Sequence, residues 1–472
     1  MAGRRSENMP GSEGDTGASS VDQFDWGLYP NLERFVSTNV NSFLANHSFA
    51  RALSGKMMNQ TSTKFVDWVD HIVLPESEIE SGTLEQLGLE RVRMSGDNED
   101  ARVYRHLRSY LFPILIGDKG QKEIALKPES IDAFLQVLGS GAEVEGRPFS
   151  PFRKATISTE GALVLSAVER RGYDGFVVKE TDDIERYLDV LSSLYRRQRH
   201  FKTDEAGMKA TEALLEESLD GLDSARTSDA FFRPERAYWE RRNRAGQIQK
   251  ARQDTLGLGW GNHDHHTYRS SRDNFAGMIR IFEKMGYKCR EKYYAGDRAG
   301  WGAQILEHKA CGIVIFTDVD LRPDETRIDF SHAGFGEREQ ALGTVGLWIG
   351  LHGESILQAG MHHLEARFDF ERLAQDLKSE GVGLMPPFSH FGFLKQAFTV
   401  GEVWPVERGR LERLLEEKYI TREQFERFLV EGAIGSHLEN LERDQGFKGF
   451  NRASVAKIIA ETDPRRQHLS GA

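Results

Sequence analysis

Cysteine is scarce: Cys289 and Cys311 are the only two in 472 residues. Two thiols cannot build a disulfide framework, so a reduced, cytoplasmic setting is expected, with both thiols packed in apolar strand-like surroundings. Long hydrophobic runs are missing as well. None approaches the ~20 residues that span a bilayer, and no membrane partner is expected. The first twenty residues hold no apolar segment of the kind a secretion signal needs. Concentrated positive charge is the third absence. The 62 Lys and Arg are outnumbered by 73 Asp and Glu, giving a formal net charge of −11 with the signs mixed along the chain. That excludes nucleic acid as the main partner, because phosphates call for a clustered basic surface.

What remains, 39% hydrophobic and 29% charged residues, is the composition of a globular protein. The length exceeds one simple core, so several units are expected. Residues 1–22 are too polar to bury enough apolar area and are expected to be a disordered tail. Residues 23–180 carry strand patterns: Phe65–Leu74, Tyr110–Ile116, Glu123–Leu126 and Ala162–Val168, with a helix at Pro128–Leu138. Residues 181–254 turn helical and strongly charged, a connector. In it Ile184, Tyr187, Leu188, Val190 and Leu191 form an apolar stripe and Arg196, Arg197 and Arg199 a solvated face. Residues 255–472 form the last unit.

Histidine is where the chemistry concentrates. Trp260-Gly261-Asn262-His263-Asp264-His265-His266-Thr267-Tyr268-Arg269 reads as a strand, on which His263, His265 and Thr267 share one face and Asp264, His266 and Tyr268 the other. Buried imidazoles need partners, and a metal ion is a frequent one. A second pair, His362-His363 followed by Leu364-Glu365, opens another strand about 100 residues on. Two such strands point to a metal site assembled by the fold. His332, His352 and His390 read instead as solvated or hydrogen-bonded residues, and His266 and Tyr268 as core.

The strand at Asp264–Arg269 is followed by a helix over Asp273–Met285, then strands at Cys289–Ala295, Ala303–His308 and Gly312–Phe316: one β-α-β-β-β unit. A second begins at His362–Phe368, with a helix at Asp369–Lys378 and strands at Leu394–Val403 and Gly435–Leu441. The first half looks like a weaker copy of the second: Asp70-His71 parallels Asp264-His265, the run from Ala125 parallels that from Glu365, and Ala167–Tyr173 parallels Glu439–Gly446. The expected fold class is therefore α+β, with duplicated βαβββ units in curved mixed sheets and a helical connector.

Two imidazoles leave a divalent ion under-coordinated. Gly435-Ser436-His437-Leu438-Glu439 offers Glu439 as the completing carboxylate, with His437 on its face, although spacing alone leaves Glu439 equally a surface residue of a charged tail. Two His and one carboxylate is the ligand set of non-haem Fe(II) oxygenases, and it also suits zinc chemistry.

Three motifs together carry a family resemblance. Asp264-His265-His266-Thr267-Tyr268-Arg269 with the helix ending Met285-Gly286-Tyr287 resembles the opening motif of the 2-oxoadipate dioxygenase/decarboxylase (hydroxyglutarate synthase) family of the vicinal-oxygen-chelate superfamily. His362-His363-Leu364-Glu365-Ala366-Arg367 is similar to its second-ligand motif, and Gly435–Glu439 with Arg443–Phe447 and Asn451 resembles its C-terminal signature. The resemblance covers residues 255–465. It implies a vicinal-oxygen-chelate-like fold, Fe(II) held by His265, His363 and Glu439, and Arg269 binding a substrate carboxylate. The implied substrates are a 2-oxo acid and O2, with 2-oxoadipate going to 2-hydroxyglutarate as in lysine catabolism. His362 stands where the family has Asn and Tyr268 where it has Phe, and the stretch 317–360, with Arg322, Arg327 and His332, is unusually long. In the N-terminal copy His71, Glu123 and Glu169 make a conceivable second metal set, but Pro75 replaces the arginine and a structural role is expected. The rival readings are an oxygen-independent metal-dependent isomerase or lyase on the same scaffold, and a non-catalytic ligand-binding module.

Overall fold

The computed structural model describes residues 26–96, 102–179, 181–296, 299–336, 342–452, 454, 458 and 461–465; the expected disordered tail lies outside them. Helices α1 (Pro30–Asn46) and α2 (Ser48–Thr61) lead to a seven-stranded sheet. Its first module is β1 (Val69–Pro75), α3 (Thr83–Gln86), β2 (Glu90–Val92), β3 (Val103–Arg105) and β4 (Ile114–Gly117). Its second is β5 (Lys122–Leu126), α4 (Ile131–Leu138), β6 (Phe152–Glu160) and β7 (Leu163–Arg170). Within each module the first and last strands pair in parallel, and the two first strands, β1 and β5, join antiparallel.

Four helices follow: α5 (Ile184–Arg196), α6 (Asp204–Leu219), α7 (Ser224–Glu240) and α8 (Arg244–Asp254). The nine-stranded sheet then repeats the plan of the first. Its opening module is β8 (His263–Arg269), α9 (Arg272–Lys284), β9 (Lys288–Tyr294), β10 (Trp301–His308) and β11 (Ile313–Asp320). After α10 (Thr344–His352) comes the second module: β12 (His363–Arg367), α11 (Phe370–Ser379), β13 (Ser389–Phe391), β14 (Leu394–Phe398) and β15 (Glu402–Trp404). Helices α12 (Arg408–Glu416) and α13 (Arg422–Glu431) precede the last strand, β16 (Ala433–Arg443). Again β8 is parallel to β11, β12 is parallel to β16, and β8 joins β12 antiparallel. The α+β class and the duplicated units are as expected. The three sequence parallels fall on equivalent elements, β1 with β8, β5 with β12 and β7 with β16.

Local chemistry fixes the helix that follows β8. Ser271 Oγ accepts the Asn274 N–H at α9's start, and Gly286, at φ +90°, closes its end. A Cβ on Gly286 would stand 2.8 Å from both His308 Nε2 and Ser224 Oγ, so close packing as well as φ selects glycine. Phe275, Met278, Ile279 and Phe282 of α9 are buried with Tyr268, Ile315 and Leu364 of the sheet and Phe231 and Phe232 of α7. The helices thus cover one face of the sheet, and β8's other face, with His265, Thr267 and Arg269, is left for chemistry. Among the described residues no helix is long and apolar enough to cross a membrane.

Several expectations are corrected. Phe65–Trp68 is a 3-10 turn rather than the start of a strand, because Asp67 turns back to accept the Lys64 N–H at 2.8 Å. The strand expected from Tyr110 begins only at Ile114, and β6, the long edge strand, has no counterpart in the sequence reading. Leu188 is exposed, and Arg197 and Arg199 are not a solvated face: both side chains grip the buried Glu235 carboxylate and donate to the carbonyls of Ile356 and Leu357. Cys289 is exposed rather than packed in apolar surroundings, because β9 is an edge strand of the nine-stranded sheet and its thiol meets the Glu283 carboxylate at the end of α9.

Candidate metal centre

Register builds the site. Across four neighbouring strands His265 stands opposite Val314 on β11 and Glu365 on β12, and Glu365 opposite Glu439 on β16. The next row on this face is Phe316, Thr267, His363 and His437, and the one after it pairs Asp318 with Arg269. Directly opposed residues share a face, so three strands distant in sequence deliver two imidazoles and two carboxylates to one spot. His265, His363 and Glu439 are brought together with one donor atom each within 4.8 Å of the others, and all three are buried. His363 Nε2 lies 3.0 Å and His265 Nε2 3.8 Å from Glu439 Oε2. Donors held at about 2.0–2.1 Å from one ion stand about 3 Å apart when adjacent, so the residues fit a small divalent ion after slight closure. Thr267 Oγ1 sits 2.7 Å from His363 Nε2 and is the hydroxyl that must turn aside for it.

The electrostatics favour a cation. Burial pushes the Glu439 carboxyl up to about 8. Burial, and then Glu439 itself, pushes Glu365 well above the carboxylate range. Burial, then the nearby His265 and His437, holds His363 neutral, the form in which imidazole binds metal. Two crowded carboxylates beside the neutral His363 are stable together when a dication supplies the missing charge.

Glu365 is a functional candidate that the sequence reading quoted without assigning a role. Its Oε2 is in ion-pair contact with His265 Nδ1, a carboxylate behind the ring that would hold Nε2 toward the ion. Gln396 ties the pair together, donating from Nε2 to Glu365 Oε1 at 3.1 Å and to Glu439 Oε1 at 3.2 Å. The signal was available: Glu365 is two residues past His363 and so on its face. Phe316 and Phe398 pack against His265 and His363 with ring centroids 4.4 and 5.0 Å away, an apolar rim that keeps bulk water off the ligands.

Arg269 is fully buried, 0% exposed, and none of its three guanidinium nitrogens has a hydrogen-bond partner among the described residues. Asp318 Oδ2, 3.6 Å from Nε, is the anion facing it. Burial lowers Arg269 to about 10 and raises Asp318 to about 7. The long stretch after β11 supplies its surroundings: Trp348 of α10 lies 5.4 Å under the guanidinium, and Ser355 Oγ accepts the Arg269 backbone N–H at 2.8 Å. His437 donates from Nδ1 to the Thr399 carbonyl at 2.8 Å, leaving Nε2 buried and without a hydrogen-bond partner among the described residues.

The N-terminal set does not assemble. His71 stands opposite Ala125, and Ala125 opposite Ser166, so the places of Glu365 and Glu439 are taken by residues with no carboxylate. Glu123 lies one row along and pairs with Lys154 at 2.6 Å. Glu169 faces the other side of the sheet, where it bonds Arg171 at 2.7 Å and accepts the Ile131 N–H at 2.9 Å. His71 meets Asp70 at 2.7 Å, and Pro75 ends β1 as Arg269 ends β8. His332 and His390 are exposed, and His352 is bonded to the Ile434 carbonyl at 3.1 Å. Tyr268, bonded to Glu235 at 3.1 Å, and His266 are core.

No family model and no curated protein matches the chain. Among solved structures it is similar to a mutant 4-hydroxymandelate synthase from Streptomyces coelicolor, at 11% identity over 85% of this chain and 98% of that one, with a TM-score of 0.29. It is similar to methylmalonyl-CoA epimerase from Mycobacterium tuberculosis, at 13% identity over 39% and 88% of the two chains, TM-score 0.22. A variant of the Streptomyces coelicolor epimerase matches at 14% over 39% and 96%, TM-score 0.21. Scores this low say nothing about the reaction, which rests on the site itself.

Proposed function

We propose that this protein is a non-haem Fe(II)-dependent dioxygenase that oxidatively decarboxylates and hydroxylates a 2-oxo acid, of the 2-oxoadipate to 2-hydroxyglutarate type. The observation that carries this reading is Arg269: a buried guanidinium with no hydrogen-bond partner among the described residues, paired only loosely with Asp318 at 3.6 Å, beside a cluster of two histidines and two carboxylates. A buried cation so poorly satisfied is costly unless an anion completes it, and a carboxylate matches the guanidinium fork. Arg269 lies one row, roughly 7 Å along the strand, from the Thr267–His363 row. A molecule anchored at the His/His/Glu cluster by one end and at Arg269 by the other has the length of a short dicarboxylic acid.

His265 Nε2, His363 Nε2 and Glu439 Oε2 would hold the ion, with Glu365 behind the His265 ring at Nδ1. Bound Fe(II) would supply the redox chemistry that joins O2 to the oxo acid. Arg269 pairs with the distal carboxylate and sets the substrate's register. Trp348 walls the guanidinium on one side, and Phe316 and Phe398 exclude water. The neutral His437 Nε2 accepts a hydrogen bond from a substrate hydroxyl or from an ordered water.

The test is oxygen uptake by anaerobically Fe(II)-loaded protein given 2-oxoadipate, with carbon dioxide and 2-hydroxyglutarate measured as products. All three together support the reading. Stoichiometric metal binding without oxygen uptake would overturn the dioxygenase reading and favour an oxygen-independent isomerase or lyase on the same ligands.

A further inference from the structure

Away from the sheet site, the described residues bring a separate set of metal-ligating side chains together. Glu283 in the last turn of α9, Cys289 on β9 and His332 in the segment between β11 and α10 each place one donor atom within 4.8 Å of the others. His332 Nε2 lies 3.1 Å from Glu283 Oε1, and Cys289 Sγ lies 3.7 Å from the same oxygen. Donors arranged tetrahedrally at about 2.0 Å (nitrogen, oxygen) and about 2.3 Å (sulfur) from zinc stand roughly 3.3–3.6 Å apart. The two separations bracket that spacing.

A further residue orients the cluster. Asp329 Oδ2 lies 2.7 Å from His332 Nδ1, where it accepts the ring N–H and leaves the Nε2 lone pair facing Glu283 and Cys289. A carboxylate behind the far ring nitrogen is the usual support of a metal-bound histidine. Asp329 is itself held by Lys292 Nζ at 3.0 Å. Cys289 is exposed and the Glu283 and His332 side chains are 36% and 47% exposed, so an ion enters from solvent and keeps water as its fourth ligand.

We propose that Glu283, Cys289 and His332, oriented by Asp329, form a second metal site that takes a borderline-soft divalent ion, Zn(II) in particular. The thiolate distinguishes it from the sulfur-free site on the sheet. Its ligands come from a helix end, an edge strand and a connecting segment, so an occupied site ties the segment carrying His332 to the edge of the nine-stranded sheet. A metal takes the thiolate and the neutral imidazole, so binding releases protons and weakens as pH falls.

The test is a titration of the full, reduced chain with Co(II) under argon, followed by absorption in the thiolate-to-cobalt charge-transfer region. Only a sulfur ligand produces that band, so the His265/His363/Glu439 cluster cannot contribute to it. The band is expected in the native chain and in Cys311→Ser and His265→Ala, lost in Cys289→Ser, strongly reduced in His332→Ala, and displaced by Zn(II). In a second measurement on the native chain, Zn(II) is expected to protect Cys289 from a thiol reagent. No band at saturating Co(II), a band surviving Cys289→Ser, or an unprotected thiol would each overturn the proposal.

Discussion

At the scale of single residues, the candidate site separates groups that would hold the ion from groups that set its surroundings. Glu365→Gln keeps the shape of the side chain but weakens its hold on the His265 ring; loss of such a supporting carboxylate typically lowers metal affinity about 10–100-fold. Isothermal titration with Fe(II) or Mn(II) checks this, and affinity equal to the native chain's would remove Glu365 from the site. His363→Ala and Glu439→Ala are expected to abolish turnover and the metal held by this cluster, leaving the Glu283/Cys289/His332 site unaffected. Arg269→Ala is expected to raise KM for a dicarboxylic oxo acid by about 100-fold, equivalent to about 3 kcal/mol, with metal content unchanged. Arg269→Lys should not restore it, since an ammonium cannot reproduce a two-pronged contact. Legibility differed among these residues. His265, His363, Glu439 and Arg269 lie in short motifs, whereas Trp348, Ser355 and Gln396 reach the site from segments whose spacing carries no mark of it.

At the scale of elements, periodicity was a good guide where strands are half-buried and a poor one where they are not. The β8–α9–β9–β10–β11 unit was legible because α9 has one apolar stripe and two clear ends. β6 escaped because its far half, with Ser158, Thr159 and Glu160, lies at an edge and shows no regular alternation. Its last residue does specific work: Glu160 accepts from the Ser48 N–H at 2.8 Å, the Phe49 N–H at 3.1 Å and Ser48 Oγ at 2.8 Å, capping α2 from another element. Those bonds lower its carboxyl to about 2. A carboxyl whose folded value is depressed adds stability above its ordinary range near 4.5, and loses it as pH falls toward 2. Glu160→Gln is therefore expected to lower the melting temperature at pH 6–7, with the difference from the native chain shrinking below about pH 4. A constant difference down to pH 2 would show that the charge is irrelevant to the cap.

At the scale of the whole molecule, two sheets share one topology and differ in chemistry. The rows that hold Glu365 and Glu439 beside His265 hold Ala125 and Ser166 beside His71. His71→Ala is thus expected to leave turnover and metal content unchanged; a folded but inactive variant would place the chemistry in the wrong sheet. Duplication was readable from sequence because three short segments repeat in order. The failure of the N-terminal set to converge was not, since it depends on register, and a shift of one residue moves a side chain to the opposite face.

The position of β16 has a consequence for biogenesis. This closing strand lies between β12 and β14 and carries Glu439, so strands separated by some 170 residues must meet before the three donors coexist. Such long-range pairing forms late and slowly. While the chain is being synthesised, His265 and His363 emerge well before their carboxylate partner. An early-bound ion would find two imidazoles and an unfinished sheet. Assembly of the candidate site is thereby deferred to the last step of folding, and a product ending before Ala433 would lack both that strand and the Glu439 carboxylate.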